Sequence, residues 1–149
     1  MNEVALKIMG LYTQIERNKK LSKQLKALAG VCLFFSICIC FGVKSIENPD
    51  KSDVVATNLV WIISIIVLIG IYIKDSYCVK DNKACELDIY RLKVEDLNIK
   101  KELAKCRGEV LSDDILNKQI DKPDEKVSLP VIYYSILLGI DIIIRLLSL

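Results

Sequence analysis

The sequence predicts an all-α integral membrane protein: a long helical hairpin with cytoplasmic coiled extensions, plus a third C-terminal hydrophobic helix. Three observations predict it. Apolar residues make up 52% of the 149 and are gathered into three blocks rather than spread as in a soluble core. The charged stretches flanking the first two blocks carry apolar residues at steps of three and four, the spacing of an amphipathic helix. Proline is absent before Pro49 and again between Ile71 and Arg107, so helices can run on beyond the blocks.

Residues 1–26 read as a basic cytoplasmic helix, with Val4, Ile8, Leu11 and Ile15 on one face. Residues 27–43, ALAGVCLFFSICICFGV, hold no charge and form the first transmembrane helix. A hydrocarbon core about 30 Å thick needs about 20 helical residues, with roughly 17–25 the usual range. Residues 44–57 then form an external loop, and the uncharged block 58–73, NLVWIISIIVLIGIYI, forms the second transmembrane helix. A soluble chain this small cannot bury such helices on every face. Twenty-six mostly polar residues precede the first block, far longer than the n-region of a cleaved signal.

Residues 74–111 predict a charged, coiled cytoplasmic helix with Cys85, Ile89, Leu92, Ile99 and Leu103 on one stripe, broken once at Asp96. Gly108 supplies its C-terminal cap. Residues 112–128, SDDILNKQIDKPDEKVS, read as a short helix capped by Ser112 and then a linker. Residues 129–149 form the third hydrophobic helix, with Pro130 in its first turn.

Orientation follows from Lys and Arg counts in the flanks. Residues 1–26 carry six, the 44–57 loop two, and the twenty residues after the second block five. The N-terminus and the 74–111 segment are therefore placed in the cytoplasm and the 44–57 loop outside. Cys32, Cys38 and Cys40 lie in the first block and Cys78, Cys85 and Cys106 on the reducing side, so all six read as small packing residues rather than disulfides. With no histidine and no paired cysteine spacing, no metal or other cofactor is expected.

Two groups of residues stand out as candidate sites. Ala29, Cys32, Ser36 and Cys40 share a stripe of small side chains on the first span, and Ser135 and Gly139 do so on the third. Small residues let helices approach closely where lipid supplies no hydrophobic drive. Tyr134, Asp141, Arg145 and Ser148 share one face of the third helix. Counting from Leu129, Asp141 sits about 18 Å along it, near the middle of a bilayer. An ionised group there costs at least about 2.5–3.5 kcal/mol, so it faces protein or water rather than lipid. Three readings stay open: Asp141 and Arg145 neutralise each other and fix helix register, they line an aqueous path, or the helix lies at the interface.

No catalytic, nucleotide-binding or nucleic-acid motif is present, and residues 74–128 balance 12 basic against 13 acidic residues. An enzyme and a nucleic-acid binder are therefore not expected. The net +4 of residues 1–26 suits anionic lipid headgroups as partners.

The basic helix KIMGLYTQIERNKKLSKQLKA entering a first span, the short outer loop, the second span and the charged helix KDNKACELDIYRLKVEDLNIKKELAK together resemble the SLATT-type two-span effectors of bacterial antiviral defence. The resemblance covers residues 1–110 in layout. It implies an effector of a bacterial inner membrane in which a cytoplasmic sensor partner triggers membrane disruption. The apolar stripes of the cytoplasmic arms, packing together or on neighbouring copies, add the expectation of a homo-oligomer. The expected function is thus a pore-forming or membrane-permeabilising effector. The alternatives are a non-conducting membrane scaffold for a soluble partner and a phage-type holin.

Overall fold

A computed structural model of the chain describes residues 3–44, 50–108, 120, 122–124, 126–127 and 129–148, without the side chains of Val43, Lys44 and Ser148. Among the described residues the fold is all-helical, with three helices and no strand. They are α1 (Glu3–Lys44), α2 (Lys51–Cys106) and α3 (Val131–Ser148). Helices α1 and α2, of 42 and 56 residues, extend about 63 and 84 Å at 1.5 Å per residue. Both are long and apolar enough to cross a membrane.

Each boundary has a local cause. The Asp50 carbonyl accepts from the backbone N–H groups of Asp53 (2.9 Å) and Val54 (3.3 Å), while the Asp50 N–H donates to the Asp53 carboxylate at 3.2 Å. This reciprocal arrangement caps the start of α2. Residues 51–57, expected to be loop, are therefore the opening two turns of α2. Freedom from charge marked the apolar block but does not limit the helix. At the other end the Gly108 N–H donates to the Lys105 carbonyl at 3.1 Å, with Gly108 at φ 74°, a left-handed conformation that suits glycine. Pro130 stands just before α3 rather than within its first turn, and its carbonyl accepts from the Tyr134 N–H at 3.3 Å. The short helix expected after Ser112 lies outside the described residues.

The chain's contacts divide into two units: Met1–Lys19 with Val79–Val127, and Lys20–Cys78 with Ser128–Leu149. In the first unit α1 and α2 pair antiparallel around Ile15, Cys85 and Ile89, with Ile8 and Leu11 against them. Gln14 and Asn18 both donate to Asp81 Oδ2, at 2.9 and 2.6 Å, and Lys93 Nζ donates to the Tyr12 hydroxyl at 3.3 Å. Leu92 is half-buried, whereas Ile99 and Leu103 are 52% and 54% exposed and Ala104 is buried instead. The expected stripe is thus covered within the chain only along its first half.

The second unit is a three-helix bundle. Its apolar centre is Ala29, Leu68, Ile71 and Tyr134, with Leu25, Cys32, Tyr72, Leu137 and Leu138 packed on it. The buried residues of α2 here, Thr57, Ser64, Leu68, Ile71, Asp75 and Cys78, fall with half-buried Trp61 at alternating steps of four and three. That is the seam of a coiled coil. Outside the seam this unit exposes large apolar side chains, among them Phe34, Phe35, Ile63, Ile66, Ile132 and Leu146.

Candidate functional site: a polar interior in the three-helix unit

The seam of α2 and the inner face of α3 carry polar residues where an aqueous protein places hydrocarbon. In the second unit α3 runs antiparallel to α2 and parallel to α1, and four hydrogen bonds of α3 record that register. The Tyr133 hydroxyl donates to the Lys26 carbonyl at 3.0 Å. The Tyr134 hydroxyl donates to Asp75 Oδ2 at 3.1 Å, and Lys26 Nζ lies 4.0 Å from the same oxygen. The Ser36 hydroxyl donates to Asp141 Oδ1 at 2.9 Å. The Arg145 guanidinium donates to Asn58 Oδ1.

Asp75 and Asp141 are 0% and 2% exposed, and a hydrogen bond to a buried charged group contributes about 1.5–3 kcal/mol. Neither carboxylate is fully served. Asp75 Oδ1, Asp141 Oδ2 and Ser64 Oγ are buried without a hydrogen-bond partner among the described residues, as is the Trp61 indole N–H. Tyr72 and Tyr133 flank Tyr134 edge-on at 5.5 and 5.2 Å between ring centroids, which fixes the hydroxyl that serves Asp75.

Of the residues singled out from sequence, Ala29, Ser36, Cys40, Tyr134, Asp141 and Arg145 are buried in this unit and Cys32 is half-buried. Asp141 and Arg145 share a face but take different partners, Ser36 on α1 and Asn58 on α2. Ser135 is exposed and Gly139 half-buried, with nothing within 4 Å of a Cβ placed on Gly139, so among the described residues this small pair seats no closely approaching helix. The Ser148 side chain lies outside the described residues. Cys38 and Cys106 are exposed and Cys78, like Cys40 and Cys85, is buried, so the cysteines are not uniformly packing residues.

Sequence reasoning missed Asp75, Asn58, Ser64 and Lys26. A signal for the first was present: Asp75 continues the 64, 68, 71 spacing one step past the apolar block. No protein-family model, curated protein or solved structure matches the chain.

In the first unit, burial pushes the Cys85 thiol above its ordinary range, and the Asp81 and Asp88 carboxylates add to the shift. Less thiolate is then present near neutral pH, and thiolate is the reactive form. With Cys32, Cys38, Cys40 and Cys78 replaced by serine, Cys85 is expected to react with a maleimide at least tenfold more slowly than exposed Cys106, by mass spectrometry of timed samples. Equal rates would mean that the Ile15–Cys85–Ile89 core is open in solution.

Proposed function

We propose that the chain is a three-span, oligomeric membrane-permeabilising effector of a bacterial inner membrane, with its N-terminus in the cytoplasm. The observation that carries this reading is the inversion of the second unit. Its outside is apolar beyond what water tolerates over so large an area, while serine, asparagine, arginine and two aspartates converge inside from all three helices. Ionisable residues at membrane depth are costly and mark ion or substrate paths when kept. One hydrogen bond to a charged group, about 1.5–3 kcal/mol, no more than offsets a burial cost of at least about 2.5–3.5 kcal/mol, so stability alone gives little reason for them.

On this reading Lys26, Lys74 and Asp75 mark the cytoplasmic boundary, and Asn58 with Arg145 the opposite one. The exposed Ile99 and Leu103 on α2, and Ser135 on α3, are the faces left for other copies or for a cytoplasmic sensor. The layout shared with SLATT-type effectors supports the same assignment.

A second reading is a non-conducting scaffold. The pairwise matching of Ser36 with Asp141, Asn58 with Arg145 and Tyr134 with Asp75 within one chain favours it. A potential-sensitive dye on induced cells separates the two. The wild type is expected to depolarise cells and arrest growth, and Asp141→Asn with Arg145→Gln to abolish both while still reaching the membrane. An intact potential at full wild-type expression, with the trigger supplied, would leave the scaffold.

A further inference from the structure

The two buried aspartates of the three-helix unit are not equivalent. Asp75 has a cation beside it, Lys26 Nζ at 4.0 Å, and a hydroxyl donor in Tyr134. Among the described residues Asp141 has only the Ser36 hydroxyl on Oδ1, and its Oδ2 is buried without a hydrogen-bond partner. No ion pair joins it to Arg145 among the described residues, and the Arg145 guanidinium is turned to Asn58.

Helix register places a second orphan oxygen at the same level. The contacts of Tyr134 with Asp75 and of Arg145 with Asn58 form two rungs between α3 and α2. Asp141 lies four residues from Arg145 and seven from Tyr134, while Ser64 lies six from Asn58 and eleven from Asp75. The rungs are 11 residues apart on α3 and 17 on α2, so the long Arg145 rung slants and the ring contact of Tyr72 with Tyr134 sets the level instead. At about 1.5 Å per residue in both antiparallel helices, Ser64, eight residues from Tyr72, stands opposite residue 142, beside Asp141. Ser64 is 9% exposed and its Oγ has no hydrogen-bond partner among the described residues. One polar layer thus draws on all three helices: Ser36 from α1, Ser64 from α2 and Asp141 from α3.

We propose that this layer is a binding site for one small monovalent cation, held by Asp141 Oδ2 and Ser64 Oγ, with Ser36 orienting the carboxylate through Oδ1. A carboxylate oxygen and a hydroxyl oxygen are hard donors suited to an alkali cation rather than a soft transition metal. A divalent ion is disfavoured because calcium takes six to eight oxygen ligands, several of them carboxylates. The layer offers one carboxylate, and no cluster of three metal-ligating acidic, cysteine or histidine side chains exists among the described residues. Helix backbone carbonyls are committed to their own ladders, so water completes the shell. The Trp61 indole N–H, one turn nearer the Arg145 rung, is a donor and serves that water rather than the cation. In the permeabilising reading the site gives cation selectivity, and for that role alone it rests on that reading. Binding is a property of the folded bundle.

The test therefore measures binding and not flux. Full-length protein in detergent micelles is unfolded by heat in sodium, potassium or choline chloride at equal ionic strength. Sodium or potassium is expected to raise the Tm by several degrees over choline, saturably. That increment is lost in Asp141→Asn, reduced in Ser64→Ala and kept in Asp75→Asn. Equal stabilisation by choline overturns the proposal, as does an increment that survives Asp141→Asn or disappears in Asp75→Asn. So does an infrared band of a protonated acid, lost in Asp141→Asn, because a neutral side chain has no need of the cation. Should Asp141→Asn not fold, sodium NMR line broadening by the wild type against Ser64→Ala gives the same reading: broadening reduced by the substitution supports the site, and no difference overturns it. A sound cation site in a chain that leaves membrane potential intact would separate this inference from the permeabilising one.

Discussion

Tyr134→Ala is expected to undock α3, with a loss of about 3–5 kcal/mol, the scale of deleting a buried aromatic ring. The ring sits at 3% exposure among Ala29, Leu68 and Ile71, and its hydroxyl is a donor to Asp75. Removal therefore opens a cavity and also strips a buried carboxylate that already has one oxygen unpartnered. Tyr134→Phe keeps the packing and loses only the hydrogen bond, about 1.5–3 kcal/mol for a charged acceptor. Titration of mixed micelles with a denaturing detergent, followed through the fluorescence of the single tryptophan, Trp61, reads both. Equal losses for Ala and Phe would mean that the ring contributes nothing beyond its hydroxyl.

The second large effect belongs to the other unit. Ile89→Ala is expected to lower the local stability of the α1–α2 pairing by about 2–5 kcal/mol. Amide exchange protection around Ile8–Ile15 and Cys85–Leu92 should then fall roughly thirty- to several-thousand-fold. Leu103→Ala, at a side chain exposed within the chain, should leave exchange unchanged in the monomer. If copies pack on that stripe, the same substitution weakens self-association, which sedimentation detects. An Ile89→Ala variant with wild-type protection would remove the hairpin core described here.

Much of this architecture was legible because helix formation is local. Steps of three and four, the missing prolines and the glycine after Arg107 are sequence facts that bear directly on α1 and α2. Absence of charge is a poor boundary for α2, because the helix starts at the Asp50–Asp53 cap, several residues before the uncharged block. Partner choice was not legible. Asp141 and Arg145, four apart, must share a face, but whether they pair depends on what α1 and α2 place opposite. Ser36 and Asn58 stand there only because of interhelical register, which emerges from packing around Ala29 and Leu68. For the same reason Asp75 read as an ordinary residue of a charged segment until α3 was seen against it.

The seam divides the three-helix unit into two alphabets under selection. At Phe34, Ile63 or Ile132, all exposed, exchange among leucine, isoleucine, valine and phenylalanine alters only a greasy exterior and should drift freely. At Ala29, 0% exposed and enclosed by Leu68, Ile71 and Tyr134, each added carbon must displace a neighbour, at about 1–3 kcal/mol. A random mutant library is therefore expected to tolerate change on the outer face and to reject it along Ala29, Ser36, Ser64 and Asp141. Such a map would trace the interior of the bundle from phenotype alone.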